Sequence, residues 1–101
     1  MKEPSEIATM AELRAEIDAH DRRIVDMLAA RARLIDRASE LKPGEGMPAR
    51  ITARVEAVVA NVRAAAGERG LDPDLVERVW RELIEWSIAR EEEVLGKGDE
   101  A

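Results

Sequence analysis

The sequence contains no cysteine, no phenylalanine and no tyrosine. Without thiols it has no disulfides and no thiolate chemistry, so cysteine usage marks no compartment. His20 is the only histidine, and no second imidazole lies at metal-ligand spacing. Six glycines and four prolines are too few for the many tight turns of a sandwich or barrel. The one glycine-rich stretch, PGEGMP at 43–48, follows no strand and is not a phosphate loop. No apolar run approaches the roughly 18 residues that span a bilayer, and the opening MKEPSEIATM has no apolar signal core. Cationic excess is missing too: 22 acidic residues outnumber 16 Lys and Arg, for a net charge of −6. Such a chain suits neither nucleic acid nor an anionic membrane. The expectation is a cytoplasmic protein.

What is present favours helices. Ala, Leu, Glu, Arg and Val dominate, and an all-α chain of three helices in one domain, residues 1–101, is predicted. Residues 1–8 read as an N-terminal arm and 96–101 as a flexible tail. Thr9-Met-Ala-Glu12 is a capping box. No Gly or Pro interrupts the run from there to Lys42, and Pro43-Gly44 stops it by biasing Lys42 away from the helical region. A second helix is expected from Ala49 to Ala66, ended by Gly67 and Gly70. A third runs from the Asp72-Pro73 start signal to about Leu95, before Gly96.

The first helix carries two adjacent heptad lines: Met10, Ile17, Ile24, Arg31 and Ala38, then Arg14, Asp21, Leu28, Ile35 and Lys42. Together they make one seam. At 1.5 Å per residue the helix reaches about 50 Å, against a radius of gyration of about 13 Å for a compact chain of this size. The rest of the chain cannot cover it, so a second copy is expected along the seam.

Four cations interrupt the apolar faces. Arg14, Arg31 and Lys42 lie on the seam, and Arg54 lies between Ile51 and Val58 on the second helix. A single long cation can snorkel to water. Four buried together would each cost several kcal/mol without compensating anions, and Asp21 and Glu91 are too few for all of them. The pattern predicts a small ligand with about two carboxylates, which the planar guanidinium fork matches bidentately. The third helix adds Ser87 and Glu91, an i, i+4 polar pair flanked by Ile84 and Ile88. His20 and the tryptophans Trp80 and Trp86 read as seam, core or interface residues.

The run L-R-x-x-I-D-x-x-D-x-x-I-V-x-x-L-x-x-R from Leu13 to Arg31, then Lys42, Arg54 and I-E-W-S-I-A-R-E from Ile84 to Glu91, resembles the all-helical chorismate mutases. Successive cations stand 17, 11 and 12 residues apart, the separations of that family. The resemblance implies an intertwined homodimer with two sites and no cofactor or metal. Arg14 would reach into the partner's site to bind a substrate carboxylate, and Arg31 and Arg54 would hold the other acidic group. Lys42 would donate to the ether oxygen of the breaking C–O bond, and Ser87 would help hold the ring carboxylate. Glu91 stands where the family commonly has a Gln that donates a second hydrogen bond to that oxygen, and a Glu there donates only when protonated.

Val55 stands where many chorismate mutases have a Glu for the ring hydroxyl. A related branch, the isochorismate-pyruvate lyases, has an apolar residue there and releases salicylate and pyruvate. The opening MKEP and the segments around Lys42 and Trp86 also resemble that branch, whereas Ser87 resembles the mutases. A chorismate mutase is therefore the expectation. An isochorismate-pyruvate lyase and a non-catalytic helical dimer are the alternatives.

Overall fold

The computed structural model describes residues 2–98; the last three residues of the expected tail lie outside that range. Three helices make up the fold: α1 at Met10–Leu41, α2 at Thr52–Glu68 and α3 at Pro73–Leu95. The described residues contain no strand, as the composition implies. None of these helices is long and apolar enough to cross a membrane. The chain divides into two compact units, one ending at Arg33 and the other starting at Leu34.

In the first unit a 3-10 turn at Pro4–Glu6 precedes α1. The Thr9 hydroxyl accepts from the Glu12 amide at 3.2 Å, and the Glu12 carboxylate accepts from the Ala8 amide at 3.2 Å. The box thus closes one residue earlier than its usual form, in which the carboxylate returns to the cap residue itself. Along α1 the seam positions Met10, Ile17 and Ile24 are 57 %, 49 % and 57 % exposed. Asp21 is exposed, and His20 Nδ1 donates to the Glu16 carbonyl one turn back at 2.8 Å.

In the second unit the core lies between α2 and α3. Ala49, Val59, Ile84 and Ile88 are buried together, with Val55, Val58, Trp80 and Leu95 packed against them. Full burial of aliphatic side chains of this kind stabilises by about 1.5–3 kcal/mol each. On the outside, Arg63 bonds Asp74 and Glu77, and Arg81 bonds Glu77 and Glu56. These exposed pairs lace α2 to α3 and add little individually.

Three helix ends differ from expectation. Lys42 keeps helical dihedrals (φ −57°, ψ −41°), and its amide donates to the Ala38 carbonyl at 2.9 Å. Proline fits the first position of the 3-10 turn Pro43–Glu45, so the chain tightens there and reverses only at Gly46, where φ is 68°. Residues 49–51 are not helical: Ile51 is extended, and the Ala49 carbonyl accepts from the Lys42 ammonium. Finally, α2 passes through Gly67 and ends at Glu68. Of the two glycines expected to end it, only Gly70 takes a left-handed φ, of 69°. The Leu71 amide then reaches the Ala66 carbonyl at 2.9 Å and the Gly70 amide that of Gly67 at 3.3 Å, a Schellman closure. The start of α3 matches the sequence reading, with the Asp72 carboxylate accepting from the Asp74 amide at 2.9 Å.

Candidate functional site

Lys42 and Glu91 meet in the second unit. Lys42 Nζ lies 2.8 Å from Glu91 Oε1, with the two side chains only 17 % and 5 % exposed. The same ammonium donates to the Ala49 carbonyl at 2.8 Å, which fastens it to a residue of the core. Glu91 Oε1 is buried and receives no well-directed hydrogen bond. Its contact with Lys42 is therefore an attraction between charges at close range. Buried acceptors without an aligned donor are uncommon.

Helix α3 supplies the surroundings. Ser87, one turn before Glu91, is buried and its hydroxyl donates to the Leu83 carbonyl at 2.8 Å. Ile84 and Ile88 flank both residues and belong to the core, so they back the polar pair with a dry wall. Arg54 lies exposed on α2, and Val55 beside it is half-buried against the core. Arg14 and Arg31 belong to the first unit, where Arg14 is exposed and Arg31 half-buried on α1. A surface depression bordered by Pro43, Met47, Pro48 and Leu95 contains none of the six candidate residues.

One polar contact beside the pair was not visible in the sequence. Arg90, the neighbour of Glu91, grips Asp36 of α1 through Nε at 2.5 Å and Nη2 at 2.9 Å. Its guanidinium also lies 5.2 Å from the centre of the Trp86 ring. The hydrogen bonds from Arg90, reinforced by its charge and opposed by desolvation, hold the Asp36 carboxyl below its ordinary 3.8. The only signal available to the sequence was the i, i+4 spacing of Trp86 and Arg90.

An ammonium set against a buried, under-bonded carboxyl, with a hydroxyl one turn away, can bind an oxygen-rich anion and donate to an oxygen that gains charge. Residues 13–92 match the family model for chorismate mutase type II. The chain belongs to the chorismate mutase type II family. It is 33 % identical over 85 residues to a T-protein of Enterobacter agglomerans, covering 84 % of this chain and 23 % of that protein. It is 32 % identical over 82 residues to a T-protein of Haemophilus influenzae, covering 81 % and 22 %. The chain thus spans under a quarter of the length of these two relatives. The isochorismate pyruvate lyase of Pseudomonas aeruginosa is 35 % identical over 92 residues, covering 90 % of this chain and 89 % of that enzyme. Membership of this family and these likenesses support chemistry of the chorismate mutase type without selecting one member.

Proposed function

We propose that this protein converts chorismate to prephenate, as a homodimer whose sites take residues from both chains. The reaction breaks one C–O bond and forms one C–C bond, with no proton transfer and no covalent intermediate. The protein need only hold a folded near-attack conformer and stabilise charge growing on the ether oxygen. The observation that carries the reading is the buried Lys42–Glu91 pair, whose Oε1 lacks an aligned donor. Lys42 is the donor to the ether oxygen, worth about 3 kcal/mol by analogy with an oxyanion-hole donor. Glu91, once protonated, is the second donor.

Arg31 and Arg54 bind one acidic group of the substrate and Ser87 assists at the ring carboxylate. Arg14 crosses from the partner chain to bind the other. The half-exposed Met10, Ile17 and Ile24 supply an apolar surface for that partner.

A second reading, elimination of pyruvate from isochorismate to leave salicylate, is favoured by Val55 and by the nearly full-length likeness to the Pseudomonas lyase. Both readings use the same cations. Loss of the ultraviolet absorbance of chorismate on mixing with the protein is the expected result. Salicylate fluorescence from isochorismate, with chorismate left untouched, would transfer the assignment to the lyase. Silence with both substrates would refute the enzymatic reading.

A further inference from the structure

We infer that Asp36 and Arg90 form a positioning clamp that sets how Lys42 faces Glu91. The inference rests on the proposed reading of Lys42 and Glu91 as site residues, and it concerns what holds them there. The core of the second unit comprises Ala49, Val59, Ile84 and Ile88, with α2 and α3 residues packed on it, and none of these comes from α1. Ser39 is the one buried residue of α1, and its hydroxyl is turned back to the Ile35 carbonyl of its own helix. Two ion pairs tie the last turns of α1 to α3: Lys42 with Glu91 and Asp36 with Arg90.

Their placement makes them complementary. Asp36 precedes Lys42 by six residues, about 9 Å along the axis and roughly 240° around it. One tie alone would let the helix end roll about that contact. Two ties on different faces, fastened to the adjacent residues Arg90 and Glu91, fix both its height and its rotation. The Asp36 contact is suited to this because both carboxylate oxygens are engaged by the guanidinium fork, which sets direction as well as distance. Trp86, one turn before Arg90, lies under the guanidinium and limits its swing.

Asp36 and Arg90 are 45 % and 42 % exposed. Exposed pairs contribute little to global stability, so the effect of this one is geometric. A misplacement of about 1 Å can cost a hundredfold in rate while leaving the fold intact.

The test compares the full chain with three variants: Asp36→Asn, Arg90→Lys, and the exchanged pair Asp36→Arg with Arg90→Asp. Backbone hydrogen exchange reads the geometry without any substrate. In Asp36→Asn and Arg90→Lys, exchange over residues 38–47 should rise about tenfold while residues 76–88 stay unchanged. In steady-state assays with chorismate and isochorismate, kcat should fall about ten- to a hundredfold with KM within about twofold. Arg90→Lys should not rescue, because an ammonium has no fork, whereas the exchanged pair should restore both protection and kcat.

Unchanged exchange over 38–47 in both single variants overturns the clamp. So does unchanged kcat despite raised exchange, or an exchanged pair that melts like the parent yet regains no protection. A parent protein inactive on both substrates refutes the proposed function alone, and the exchange measurement then decides the clamp by itself.

Discussion

Replacing Lys42 by Met keeps most of the side-chain stem and removes its charge. Glu91, with a side chain only 5 % exposed, is then left without its cation. Stranding one member of a buried pair costs about 3–5 kcal/mol. The stranded carboxylate can escape by taking up a proton. That costs 1.36 kcal/mol for each pH unit above the ordinary glutamate value of about 4.3, so about 3.7 kcal/mol at pH 7 and about 1 at pH 5. The proton is held by the folded variant and not by its unfolded chain, so the variant loses stability as pH rises. Loss of the hydrogen bond to the Ala49 carbonyl adds about 1 kcal/mol at either pH. The expected destabilisation is about 5 kcal/mol at pH 7 and about 2 at pH 5.

For a chain of this size that difference, about 2.7 kcal/mol, corresponds to roughly 11–22 °C in melting midpoint. Urea and thermal unfolding at both pH values, at one fixed protein concentration, measure it. Adding Glu91→Leu should recover most of the loss, because apolar groups replace both charges. A Lys42→Met loss below about 0.5 kcal/mol at pH 7, or the same loss at both pH values, would refute the reasoning that the pair is buried and mutually dependent.

Glu91→Gln should raise kcat at pH 7, because an amide always offers a donor for the ether oxygen; steady-state kinetics test this, and an unchanged or lower kcat contradicts it. Arg31→Ala should abolish turnover while leaving helicity and dimerisation intact, by circular dichroism and sedimentation. Arg14→Ala and Arg31→Ala proteins, each inactive, should regain activity when mixed and refolded, because one of the two sites in a mixed dimer is free of both changes. For Asp36, the Arg90 contact contributes stability above pH 3.8 that is lost as pH falls through the lowered native value. The ratio of hydrogen-exchange rates over residues 38–47 between Asp36→Asn and the parent, compared at equal pH, should therefore narrow between pH 6 and pH 3.

Legibility in the sequence followed the range of the interaction. The start of α3 is a local matter: Asp72 caps two residues on, and Pro73 loses nothing by lacking an amide there. The stripe positions of Lys42 and Glu91 were also readable, because a charge at an apolar register point stands out against 3.6-residue periodicity. Their pairing was not, since it depends on how the end of α1 meets α3 across 49 residues of sequence. The Asp36–Arg90 contact is hidden for the same reason, at a separation of 54. Gly67 and Gly70 look alike in sequence, and only the closure onto Ala66 and Gly67 selects the one that needs a left-handed φ. Lys42 misled in the other direction: the bias against helical geometry before proline is a preference, and here the Lys42 carbonyl accepts from both Glu45 and Met47, which offsets it.

That last detail couples the surface stretch after α1 to its chemistry. The carbonyl of Lys42 accepts from the Met47 amide, and its ammonium reaches over to the Ala49 carbonyl. One residue therefore buckles both ends of a short ring of backbone. Surface connections ordinarily tolerate insertions at small entropic cost. Here an added residue would change the circumference of the ring and drag the ammonium with it, so the length of this stretch is fixed by the same side chain that it carries.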